Sequence, residues 1–382
     1  MTCQPLHGLQ VLDFSTLLPG PMCSLLLAEA GAEVMKVERP GGGDEMRTYV
    51  PRLGSDSVNF ALLNRGKRSV TLDLKSKAGR DEALGLARES DVVIEQFRPG
   101  VMARLELGYD DLRAVNPRIV YCSISGYGQT GPMANTAAHD LNYLAESGML
   151  SLSVGADGSP VLPPALIADI GGGAYPAVMN ILLAVMQRDR TGYGCHLDVS
   201  MADNLFTFMY WGLGNGWAAN QWPGPGDALV TGGTPRYNIY RTADDRFLAA
   251  APLEQKFWEN FLRAIEAPHL LDDSKNPRGT TRALAKIISS RPAMEWERRF
   301  AGLDVCVVVV KSLQEAVQNP QFAERGLFQR SVRQGEQRIP ALPTPVHPGF
   351  RATDDDRDAA YPSLGEGNEH FLEGVARLKQ EP

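Results

Sequence analysis

Apolar and polar positions over the first 125 residues alternate in two rhythms. Short, nearly continuous apolar runs have the length and β-branched content of buried strands: LQVLDFS (9–15), EVMKVE (33–38), SVTLDL (69–74), DVVIEQF (91–97) and IVYCSISG (119–126). Between them lie helical stretches, one starting near Pro21 and ending at Gly31, another over 77–90. Strands separated by helices predict an α/β fold with a mostly parallel sheet. Further on, GYGQTGPMAN reads as a loop and LNYLAESGMLSL as a helix until Gly148. ALIAD then leads through a triple glycine into a long apolar helix. The segment 211–236, rich in Gly, Pro and Trp, reads as a linker. YNIYRTADDRFLAAA reads as a hairpin turning at ADD, 255–300 as helical, and DVCVVVV as a strand. From about 342 the chain is Pro-rich and charged, and no internal repeat is visible.

Composition narrows the possibilities. The chain has 382 residues, 43% of them hydrophobic and 22% charged, which suits a soluble protein of roughly two domains. A net charge of −7 argues against general nucleic-acid binding, although local arginines still suit anionic ligands. Cys3, Cys23, Cys122, Cys195 and Cys306 are dispersed without Cys-x-x-Cys spacing, so reduced thiols in a cytoplasmic protein are expected. No N-terminal signal pattern is present, and no apolar run is expected to reach the ~18 residues of a membrane span.

Three acid–base candidates stand out. His139 precedes Asp140, which reads as the N-cap of the helix beginning at Leu141 and holds the imidazole at the lip of a pocket. On local pattern alone, His139 fits a loop histidine or half of a proton-transfer pair. Asp169 ends ALIAD ahead of Gly171, Gly172 and Gly173, where backbone N–H groups could receive an oxyanion, or where the acid is only a cap beside a flexible turn. Glu254 follows Pro252 at a helix start and equally fits a plain cap. Basic residues near strand ends, Arg39, NRGKRS (64–69), Lys75, Arg98 and Arg104, are candidates for ligand anions.

Taken together, the segments resemble the family III CoA-transferase superfamily, and within it the α-methylacyl-CoA racemases. LDFSTLLPGPMCSLLLAEAGAEVMKVERPGGGD, NRGKRSVTLDLK, FRPGVMARLELGYDDL and YCSISGYGQTGP carry the superfamily likeness. HDLNYLAESG, DIGGGA, YRTADDRFLAAAPLEQKFW and LDVCV carry the racemase likeness. The resemblance implies a large Rossmann-like domain (1–210), a linker (211–236), a smaller α/β domain (237–330) and a C-terminal segment (331–382) returning to the large domain, in an interlocked homodimer. It implies that His139 and Asp169 are the acid–base pair, thirty positions apart, and that Glu254 orients the imidazole. CoA contacts are implied at Arg39, Leu72, Lys75, Arg98 and Arg104. Ala165 is a departure, standing where the racemases carry an asparagine that supports the aspartate.

The chemistry implied is inversion at Cα of a 2-methylacyl-CoA thioester through an enolate. One group removes the α-proton and the other returns one to the opposite face, so one of the pair must be protonated in each direction. No metal or redox cofactor is expected, because CoA enters as part of the substrate. Nucleic acid and membrane are not expected as partners. CoA transfer through an Asp169 anhydride is the competing enzyme reading, and a non-catalytic acyl-CoA binder is a third.

Overall fold

The computed structural model describes residues 4–155, 157–351 and 358–369. Cys3 and parts of the expected C-terminal segment, 352–357 and 370–382, lie outside them. By packing, the chain divides into two units: one of residues 1–147, 163–208 and 321–382, the other of 148–162 and 209–320.

The first unit is built on six strands: β1 Gln10–Asp13, β2 Glu33–Glu38, β3 Arg68–Thr71, β4 Val92–Glu95, β5 Val120–Ser125 and β6 His196–Ser200. They run parallel in the order β3-β2-β1-β4-β5-β6. In register, Val11 of β1 lies between Val34 of β2 and Val92 of β4. Every residue of β4 and β5 is buried, the reason their sequences are nearly continuous in apolar residues. β6, HLDVS, is an edge strand with an exposed first half, so no apolar run announces it. The strand order reverses between β1 and β4, opening a crevice at their carboxyl ends, where open α/β sheets bind ligands.

Helices Pro19–Glu29, Lys77–Arg88 and Tyr175–Thr191 connect the strands. The last continues from Ala168, giving 24 helical residues long and apolar enough to cross a membrane. That corrects the expectation that no such run exists. This helix packs on the helix Pro19–Glu29, on β5 and on β6, as a sheet-covering helix does. The triple glycine is not a flexible turn. Ala168–Ala174 is a π-helical turn that merges with the following helix.

The C-terminal strands β10 Ser331–Gln334, β11 Gln337–Pro340 and β12 Asp358–Ala360 form their own sheet within the first unit. Arg65 donates to the Leu342 carbonyl at 2.8 Å, Arg47 to the Pro362 carbonyl at 3.2 Å, and the Tyr361 hydroxyl to the Leu53 carbonyl.

The second unit carries β7 Asn238–Arg241, β8 Phe247–Ala250 and β9 Val307–Val309, antiparallel in the order β9-β8-β7. β7 and β8 form the hairpin expected around ADD. Helices Gln255–Ala264, Pro277–Ile288 and Ala293–Phe300 bury Trp258, Phe261, Leu284 and Trp296 against this sheet. Both indoles keep a hydrogen bond while buried, Trp258 to the Leu271 carbonyl and Trp296 to the Ile288 carbonyl. The stretch expected as a linker belongs to this unit and opens with the helix Tyr210–Ala219.

Candidate active site

Two neighbouring cavities open at the carboxyl ends of the strands in the first unit. The loop after β1 and the loop after β4 are tied by one side chain. Gln96 accepts from the Gly20 N–H at 3.0 Å and donates to the Thr16 carbonyl at 2.5 Å. Beside it, the buried Glu95 carboxylate accepts from the Phe97 N–H at 2.8 Å. Phe97, held in this way, lines both cavities.

The first cavity, about 310 Å³, is lined by Gln96, Arg98, Ser125, Tyr127, His139 and Asp169, among others. His139 is the N-cap of the helix Asp140–Glu146, its N–H bonded to Asn142 Oδ1 at 3.0 Å. The Tyr143 hydroxyl donates to the Ala138 carbonyl at 3.0 Å, and the Tyr143 ring packs edge-on against Tyr127. The exposed imidazole is therefore carried on a fixed backbone at the cavity's rim.

Asp140 does not cap its own helix, contrary to the sequence reading. It is the first residue inside that helix, and its carboxylate accepts from the Asp169 N–H at 2.9 Å and from the Ala168 backbone. It thereby caps the π-helical turn that carries Asp169. Burial raises the Asp140 pKa.

Asp169 has no cation beside it among the described residues. Burial, with the Asp140 carboxylate adding to it, pushes its pKa up to about 7. Ala165, in the place of the expected asparagine, is exposed. A carboxyl group near 7 is populated in both protonation states at neutral pH, and so serves as acid or base.

The three glycines do not act as expected. Gly171, Gly172 and Gly173 lie inside the π-helical turn, whose N–H groups bond within the helix, and none of them lines the cavity. Their small size serves packing. A Cβ on Gly172 would come within 2.4 Å of the Met201 carbonyl oxygen, and one on Gly173 within 3.0 Å of the Met201 side chain.

The second cavity, about 440 Å³, is lined by Phe14, Arg39, Leu72, Leu74, Lys75 and Phe97, among others. Arg39 and Lys75 are exposed cations above the buried Leu72, and Arg39 Nε donates to the Gly43 carbonyl at 3.0 Å. Arg98 lines the other cavity, and Arg104, ending the helix Val101–Arg104, lines neither. Glu254 is the exposed N-cap residue of the helix Gln255–Ala264 in the second unit. The cavity holding His139 and Asp169 is lined by first-unit residues. Among the described residues, no group of three His, Cys, Asp or Glu side chains is placed to hold a metal ion.

Gln96, Phe97, Ser125 and Asp140 are site residues that sequence reasoning missed or misassigned. Only Asp140 had a local signal, its place beside His139, and that signal pointed to the wrong helix.

Comparison with known proteins identifies the family. The chain is 36% identical to human alpha-methylacyl-CoA racemase over 98% of its own length and 94% of that protein's. It is 34% identical to the acetyl-CoA:oxalate CoA-transferase of Acetobacter aceti over 90% of its length and 89% of that protein's. The solved structure of a CAIB/BAIF family protein from Brucella suis, 26% identical, matches 97% of this chain and 99% of that one with a TM-score of 0.82. Residues 6–368 match the model of CoA-transferase family III, and the chain belongs to that family.

Proposed function

We propose that the protein is an α-methylacyl-CoA racemase-like isomerase interconverting (2R)- and (2S)-2-methylacyl-CoA. Asp169 carries this reading: a half-buried carboxyl without a cation partner among the described residues, raised to about 7, in one cavity with His139. In one direction the carboxylate takes the α-proton and the protonated imidazole delivers a proton to the opposite face. In the other direction the roles reverse. The thioester holds the electron pair as an enolate between the two steps. Arg39 and Lys75 receive the CoA phosphates, Leu72 packs against its apolar part, and Arg98 stands beside the acyl cavity.

In this reading no metal or redox group takes part. The acting unit is a homodimer, and Glu254 of the partner subunit orients the imidazole. The helix Tyr175–Thr191 supports dimerisation, since it exposes Met179, Leu183 and Met186 as an apolar stripe at helical spacing.

Incubation of the purified protein with 2-methylacyl-CoA thioesters in D2O tests the reading. Deuterium should enter at Cα, and His139→Ala and Asp169→Asn should each abolish interconversion of the two epimers.

CoA transfer is the second reading, favoured by the similarity to acetyl-CoA:oxalate CoA-transferase. Asp169 would then attack the thioester carbonyl, forming an acyl–aspartyl anhydride and releasing CoA thiolate, with no need of His139. Trapping of a hydroxamate on Asp169 by hydroxylamine, without deuterium entry, would replace the first reading with this one.

A further inference from the structure

We propose that Ser125 donates the hydrogen bond that holds the thioester carbonyl oxygen while it carries enolate charge. The proposal rests on the racemase reading and fills the role the glycines do not perform.

Ser125 is the last residue of β5 and lines the same cavity as His139 and Asp169. It is 7% exposed, and its Oγ, shielded from solvent, has no hydrogen-bond partner among the described residues. Ser123, on the same strand, makes the contrast: its hydroxyl lies 3.0 Å from His196 Nε2. Buried hydroxyls are normally paired, and an orphan beside a cavity of acid–base groups needs a reason. A serine χ1 has three staggered wells, so Oγ can turn into the cavity. Having no partner, it forfeits no hydrogen bond by turning.

Position favours it as well. An oxyanion donor works best when its framework does not reorganise, and Ser125 sits at the end of a fully buried strand paired on both sides. The rival donors among the lining side chains, the Tyr127 and Thr136 hydroxyls and Arg98, all stand on loops rather than on the sheet.

The test compares wild type, Ser125→Ala and Tyr127→Phe for α-deuterium exchange at saturating 2-methylacyl-CoA, for KM and for thermal midpoint. Ser125→Ala should lower kcat by about 10²- to 10³-fold, the usual loss of one oxyanion donor. KM should stay within about threefold, because the bond strengthens only as charge develops. The midpoint should hold or rise, since the substitution removes an unpaired buried hydroxyl.

The proposal is overturned if Ser125→Ala exchanges at nearly the wild-type rate. It is equally overturned if the activity loss tracks a lowered midpoint, or if Tyr127→Phe alone reproduces the loss. Should wild type transfer acyl groups and exchange no α-proton, the racemase reading fails by itself. Ser125→Ala is then assayed in transfer, where the tetrahedral oxyanion needs the same donor and the same loss is expected.

Discussion

Two aspartates of the first unit show how surroundings decide what a carboxyl group does. Asp13, at the end of β1, is fully buried yet fully partnered. It accepts from the Ser15 backbone and hydroxyl and from the Ser24 hydroxyl, and it lies 3.6 Å from Lys67 Nζ. Lys36, beside it, pairs with Asp44 at 3.0 Å and donates to the Ser15 carbonyl at 2.7 Å. Burial raises the Asp13 pKa, but Lys36, Lys67 and the two hydroxyls outweigh it, and the net shift is downward. Asp169 experiences burial without that compensation and moves the other way, to about 7. Asp13 is a structural anion, whereas Asp169 is free to gain and lose a proton.

Breaking the Asp13 cluster should have the largest effect. Asp13→Ala leaves Lys67 without its nearest carboxylate and removes the shared acceptor of the Ser15 and Ser24 hydroxyls, of which Ser24 keeps the Gly20 carbonyl at 3.2 Å. Denaturant unfolding at pH 7 should show a loss of about 3–5 kcal/mol, the usual cost of removing one partner of a buried ion pair. A loss below about 1 kcal/mol would mean that the lysines find other partners, and the contrast with Asp169 would collapse.

The second effect is in the opposite direction. Between the ordinary carboxylate pKa of 3.8 and the folded value near 7, the native state binds more protons at Asp169 than the unfolded state does. Stability therefore falls as pH rises through this window, and a penalty persists above it. Asp169→Asn removes the penalty. The variant should match wild type near pH 4 and exceed it by on the order of 3 kcal/mol at pH 8, after allowance for partial exposure. For Asp13 the folded pKa is lowered, so its contribution is present at neutral pH and lost as acid protonates it. Unfolding curves from pH 4 to 8 for wild type and Asp169→Asn check this. Parallel curves would show that the Asp169 carboxyl is solvated.

Local pattern made the sheet legible, and long-range packing made much of the site illegible. EVMKVE reads as a strand and is β2 over the same residues, Glu33–Glu38, because both its faces are covered. His139 and Asp169 were visible through their neighbours and through the family resemblance. The glycines were misread because their local chemistry suggests a turn, while a helix results from close packing on Met201. The helix Tyr210–Ala219 hid behind its glycines for the same reason. The Trp222 ring lies 2.5 Å from where a Cβ on Gly216 would stand, so tertiary packing overrides poor helix propensity. The bond from Asp169 N–H to Asp140 joins residues 29 apart in sequence, and no local spacing predicts it.

That bond permits the finest test of the comparison, and the smallest expected effect. Asp140→Asn keeps an Oδ1 acceptor for the Asp169 N–H while removing the charge. The turn carrying Asp169 should stay in place, and thermal stability should change by less than about 1 kcal/mol. Burial, the larger cause of the raised Asp169 pKa, is untouched, and only the smaller Coulombic cause is lost. The midpoint of α-proton exchange against pH should therefore move to lower pH by less than about one unit, with the plateau rate preserved. Asp140→Ala also removes the cap and should lower the plateau rate. A midpoint that stays put in Asp140→Asn would show that the Asp140 charge does not reach Asp169 and that burial alone sets its pKa. A shift of two units or more would make charge rather than burial the main influence on Asp169, and the distinction from Asp13 would become one of sign alone.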